Sequence, residues 1–174
     1  PQTANGGVMA LLIASDLRSL FGPIRDQGQR PTCVAFSVSD AHGAARGDPT
    51  VLSAEHLHYF SVKRTLGGQA DQGVPLVASL RALKEDGQCS EEAWPYLETL
   101  PADLSQWCPP SSATPLFRRD AEDISLDYTE IVMHLDAGRL ILVVLLLGDR
   151  FFSPKDGIVL TDATESDVAY HALV

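Results

Sequence analysis

The reactive residue types gather in one stretch, Pro23-Ile24-Arg25-Asp26-Gln27-Gly28-Gln29-Arg30-Pro31-Thr32-Cys33-Val34-Ala35-Phe36-Ser37. It sets Cys33 at the head of a mostly apolar run that is poor in β-branched residues and ends at Gly47-Asp48-Pro49, which predicts a buried helix over about residues 33 to 46. At a helix N-terminus the unpaired N–H groups carry partial positive charge. That charge favours thiolate over thiol, and a protonated histidine nearby adds to it. The thiolate is the form that attacks a carbonyl carbon. Six residues before Cys33, at the start of a glycine-bearing loop, Gln27 offers an amide N–H that can converge with the Cys33 backbone N–H. Two donors aimed at one point make an oxyanion hole. His42 is no candidate for the base, because nine residues along the same helix is more than two turns away.

Further elements must hold this stretch in place. Ser53 followed by Ala54-Glu55-His56-Leu57-His58-Tyr59-Phe60 combines an N-cap residue, an early acid and apolar side chains three apart, which predicts a second helix. Leu66 to Gly73 reads as a loop, and Pro75 opens a third helix with Leu76, Leu80 and Leu83 that stops at Gly87. The proline-rich stretch from Pro95 to Pro115 reads as an irregular crossing between two lobes. Asp127 caps a helix from Tyr128 to about Ala137, with Glu130 in the capping-box position and Gly138 as its stop. Leu140–Leu147, Gly157–Leu160 and Val168–Val174 then read as strands, the first as a core strand. Helices first and strands last is the α+β pattern.

Composition excludes several classes of function. The 174 residues, 45% hydrophobic and 21% charged, suffice for one core, with no internal repeat or low-complexity tract. Thirteen Lys and Arg against 23 Asp and Glu leave a net charge of −10, a field that repels nucleic acid and anionic membrane. The apolar run at 140–147 has eight residues, where a membrane helix requires roughly 18 to 20. The opening residues show no basic stretch followed by an apolar region, the pattern expected of a secretory signal. Three cysteines leave at least one thiol unpaired and argue against a disulfide scaffold. Cys89 and Cys108 read as free core thiols. His56 and His58, two apart on a helix, face different directions and make a poor metal pair. Glu165 and Asp167 read as a solvated turn.

The run Gln27-Gly28-x-x-x-x-Cys33-x-Ala35-Phe36-Ser37 resembles the active-site segment of the papain-like cysteine peptidases, Q-G-x-C-G-S-C-W-A-F-S. Other landmarks follow in the family's order. Leu52-Ser53-Ala54-Glu55-His56-Leu57 is similar to its L-S-E-Q-x-L helix start, Gly73-Val74-Pro75 to its substrate-lining loop, and Trp94-Pro95-Tyr96 to its Y-P-Y. Gly138 to Val143 resembles its G-P-V-x-V strand, Phe151 to Ile158 its F-x-x-Y-x-x-G-I stretch, and Tyr170-His171-Ala172-Leu173-Val174 the strand carrying its catalytic histidine. The separation of Cys33 and His171, 138 residues, fits the family. The resemblance spans about residues 16 to 174 and implies a two-lobe α+β fold. It places a helical lobe at about 23–110 and a β lobe at about 111–174, with residues 1–22 leading in, as one peptidase domain. It further implies Cys33 as nucleophile, His171 as base, Gln27 as oxyanion donor, and Gly73, Val74 and Pro75 as an edge for an extended peptide, with Val74 suggesting an apolar second subsite. No metal or cofactor is implied.

The departures are informative. Arg30 stands where the family has its first motif cysteine, and the Leu66–Gly73 loop lacks the partner cysteine. Paired loss suits a reducing compartment, predicts a cytoplasmic protein and resembles the family's disulfide-poor bacterial branch, in which Val34 in place of Trp is usual. The family's orienting Asn lies some 15 to 20 residues beyond its histidine, and this sequence has three residues after His171, so a longer polypeptide is expected. Two other readings stay open. One is a peptide-binding module that keeps the fold without the chemistry. The other is a transglutaminase-like or amidase acyl-transfer enzyme, against which the Gln27 spacing and Trp94-Pro95-Tyr96 argue.

Overall fold

The computed structural model describes residues 15–155, 159 and 167–174. Four helices precede a two-stranded antiparallel sheet, so the α+β expectation holds. The first helix, α1 (Cys33–Arg46), has the predicted bounds and ends on Gly47, whose left-handed backbone (φ 68°) closes the last turn. Its small side chains let it pack at close range against the second helix, the third helix and the last strand. Val34, Ala35 and Val38 on α1 share the core with Leu57, Leu83, Trp94, Trp107 and Ala172. Fully burying one leucine of this set stabilises the fold by roughly 1.5–3 kcal/mol.

Ser53 caps α2 (Ala54–Lys63), accepting the His56 N–H at 3.0 Å and donating its own hydroxyl to Trp94 O at 2.6 Å. Pro75 flanks α3 (Leu76–Glu85), which ends before Gly87, a residue at φ 82°. Asp127 caps α4 (Tyr128–Asp136) by accepting the Thr129 and Glu130 N–H groups. The reciprocal half of the expected capping box is not formed. Ser125 intervenes, its hydroxyl taking the Asp127 N–H and donating to the Glu130 carboxylate.

The strands are β1 (Val143–Gly148) and β2 (Asp167–Leu173), paired from Val143 with Leu173 to Leu147 with Ala169, with Leu145 opposite His171 and a register shift before Gly148. The expectation of a core strand over 140–147 requires correction. The strand begins at Val143, and Val144, Leu145 and Leu146 are each more than two-fifths exposed, with Leu147 alone of the run buried. A two-stranded ribbon has two faces and two edges, and α1 packs on β2 rather than across the whole of β1. Residues 1–14 and most of Gly157–Leu160 lie outside the described residues. No helix among those described is long and apolar enough to cross a membrane.

Candidate active site

Cys33 is the first residue of α1. Thr32 has an ordinary N-cap side chain, yet it makes no cap bond. Its hydroxyl turns away to Tyr96 Oη at 2.9 Å. The Cys33 N–H, at the first helical position and so outside the reach of any cap side chain, has no partner among the described residues and is an open donor. Tyr96 Oη also donates to Gln27 O at 2.8 Å, so one phenol braces both ends of the loop between Gln27 and Thr32. The Gln27 amide Nε2 donates to Arg30 O at 2.9 Å, which fixes the side chain with one of its two N–H bonds.

The position that the family resemblance marks as a lost cysteine carries a buried ion pair. Arg30, 7% exposed, donates to Glu55 Oε2 at 2.6 Å and Oε1 at 3.1 Å, and to Leu97 O at 2.6 Å. Glu55, with no exposed surface, also accepts from Trp107 Nε1 and the Leu97 N–H. The loop at residues 66–73 is held by a second polar tie, between His58 Nε2 and Ala70 O at 3.1 Å. Electrostatic and hydrogen-bonded ties thus hold the two loops at these positions. All three cysteines are free thiols. Cys89 is a core thiol as expected, and burial pushes its pKa up to about 11. Cys108 is not. It is exposed, because the turn after Trp107 sends the indole inward and the next residue outward.

From the other end of the sequence β2 runs along α1. Ser37, one turn after Cys33, donates to Ala172 O at 2.8 Å. This crossing brings Gln27, Cys33 and His171 to the wall of one cavity of about 510 Å³, which Arg25, Asp26, Gly28, Ser37, Asp40, Phe152 and Leu173 also line. No hydrogen bond joins Cys33 to His171, and no acceptor holds the His171 ring, among the described residues. Phe151 is its ring neighbour, 6.4 Å between centroids. Arg25 and Asp40 on the same wall are paired. Arg25 donates from Nε and Nη2 to Asp40 Oδ1, gives Nη1 to Leu52 O, and lies over the Phe36 ring. Burial raises the Asp40 pKa despite that partner.

Gly73, Val74 and Pro75 do not line this cavity. Val74 is turned into the core, so its side chain packs rather than forming a surface subsite. Gly73 is exposed, and a Cβ there would lie 3.7 Å from Pro31 O, two residues from Cys33. His42 is structural, buried against Gln88 Oε1 at 3.1 Å. His56 and His58 are buried apart from each other, and no metal-binding cluster occurs among the described residues. A larger cavity, about 870 Å³, lies against α1, α3 and residues 138–145, and no thiol lines it.

The sequence reading missed Glu55, seen there as an acid in the first turn of a helix, and Tyr96, seen as a landmark. An acid set beside His-Leu-His in an otherwise apolar helix was the available signal for the former, and nothing in the sequence pointed to Arg30 as its partner.

No protein-family model matches the chain, and no curated protein does. Among solved structures it is similar to xylellain, a cysteine protease from Xylella fastidiosa, with TM-score 0.66 and 18% sequence identity. The match covers 88% of this chain and 66% of that one, so the chain spans a little less than two thirds of the neighbour's length. The likeness establishes the fold as the papain-like α+β arrangement.

Proposed function

We propose that the cavity between α1 and β2 is the active site of a thiol peptidase acting on extended peptides. One observation carries the reading: Gln27, Cys33 and His171 line the same cavity although 138 residues separate the thiol from the imidazole. Cys33 Sγ gives its proton to His171 and attacks the peptide carbonyl carbon. The carbonyl oxygen takes up negative charge and accepts from the Cys33 N–H and the free Gln27 amide N–H. Collapse of the tetrahedral species breaks the C–N bond, and His171 returns the proton to the leaving amine. Water, activated by the same imidazole, then hydrolyses the thioester. The exposed backbone at Gly73 and Pro75 is the edge on which a peptide strand would pair. Three free thiols suit a reducing compartment, and we place the protein in the cytoplasm.

Hydrolysis of a fluorogenic peptide is expected to vanish in Cys33→Ala and His171→Ala. Gln27→Ala should lower turnover by about 10²-fold while its thiol still reacts with iodoacetamide. Full activity in either of the first two variants would refute the assignment. The second reading is a binding module that holds peptide without cutting it, and the unheld His171 ring is what favours it. A peptide bound tightly and recovered intact would establish that reading instead.

A further inference from the structure

Resting on the peptidase reading above, the question is what sets the position of His171 against Cys33. The two residues belong to different elements, and no bond between their side chains does it. Ser37 lies four residues after Cys33, on the same face of α1, and Ala172 directly follows His171 in β2. Between them runs a hydrogen bond of 2.8 Å, from Ser37 Oγ to Ala172 O, spanning 135 residues of sequence. Both residues are buried, at 7% and 3% exposure.

The direction of this bond is the unusual feature. A serine inside a helix ordinarily donates back to the carbonyl four residues earlier, which here is that of Cys33. Ser61 on α2 does so, donating to Leu57 O at 2.6 Å. Ser37 instead donates across the element boundary. Among the described residues it is the side-chain hydrogen bond that ties α1 to β2. The tie sits one helical turn from the nucleophile and one peptide unit from the base, so little chain intervenes on either side to absorb a shift. We propose that Ser37 is a positioning residue that sets the separation over which the proton passes between Cys33 Sγ and the His171 ring.

The molecule supplies its own reference, because Cys108 is an exposed free thiol. Alkylation of Cys33 and Cys108 by iodoacetamide, followed by peptide mass spectrometry across pH, yields the ratio of the two rates in each variant. Wild type should show a high Cys33-to-Cys108 ratio at about pH 6. Ser37→Ala should lower that ratio by about tenfold or more, since misplacement on the scale of an ångström disables such pairs. Ser37→Thr, which keeps the hydroxyl, should restore it. Ser61→Ala removes another buried serine hydroxyl, one bonded to Ser79, and should leave the ratio unchanged. An undiminished ratio in Ser37→Ala, no rescue by threonine, an equal loss in Ser61→Ala, or failure of the alanine variant to fold would each overturn the positioning role. A wild-type ratio that does not rise toward acid pH would instead refute the peptidase reading, and so marks a different failure.

Discussion

Glu55 shows how much one side chain sustains. It accepts from Arg30, Trp107 Nε1 and the Leu97 N–H while having no exposed surface. Through Arg30 it reaches the loop that carries Gln27, because Arg30 O is the acceptor that holds the Gln27 amide. Removing one partner of a buried ion pair is costlier than removing both, since the survivor is left desolvated and unpaired. Glu55→Leu is therefore expected to lower the unfolding free energy by about 3–5 kcal/mol, read from urea unfolding. Arg30→Met combined with Glu55→Leu should lose less than the single change. A single variant that loses nothing would show that the pair contributes little. Residue identities at this scale were partly legible. Type and spacing put Cys33 at the head of a helix, which is where it stands. The inward turn of Val74 and the outward turn of Cys108 could not be read, since facing depends on what packs on either side.

Helix starts make the strongest case for local reading. Both N-caps singled out in the sequence, Ser53 and Asp127, cap their helices, because a cap is a contact over two or three residues that the sequence spells out. Their energies should differ for a tertiary reason. Asp127 is exposed and serves its own helix, so Asp127→Ala should cost about 1 kcal/mol. Ser53 is fully buried and also satisfies Trp94 O, so Ser53→Ala should cost more, about 2–3 kcal/mol, as a buried carbonyl loses its donor. Thermal unfolding of the two variants side by side checks the order, and equal losses would contradict it. Thr32 is the counterexample among helix starts. It has a cap residue's chemistry, yet its hydroxyl bonds to Tyr96 Oη instead of capping the helix.

At the scale of the whole molecule, His42, His56 and His58 are buried among the helices. Burial lowers the pKa of all three, that of His56 from 6.5 to about 4. Below pH 6.5 the unfolded chain takes up protons that the folded chain refuses, so these groups favour folding above that pH and withdraw the support as pH falls toward 4. Burial pushes Asp40 and Glu91 the opposite way, and their slope opposes this one. His56→Gln isolates one contribution: its urea midpoint should fall less between pH 6.5 and 4 than that of wild type, and parallel curves would refute the assignment. The sequence by itself determined the helix that begins at Cys33, the caps, the order of helices before strands and the acidic surface. Those follow from periodicity and from bonds between near neighbours. Tertiary structure alone decided that His171 reaches the Cys33 cavity, that Arg30 finds Glu55, that Ser37 bonds across to Ala172, and that much of the 140–147 run stays partly exposed. Each depends on which faces are pressed together by packing, and contacts between residues 25 to 138 apart are selected by the fold of the chain rather than by any pattern within it.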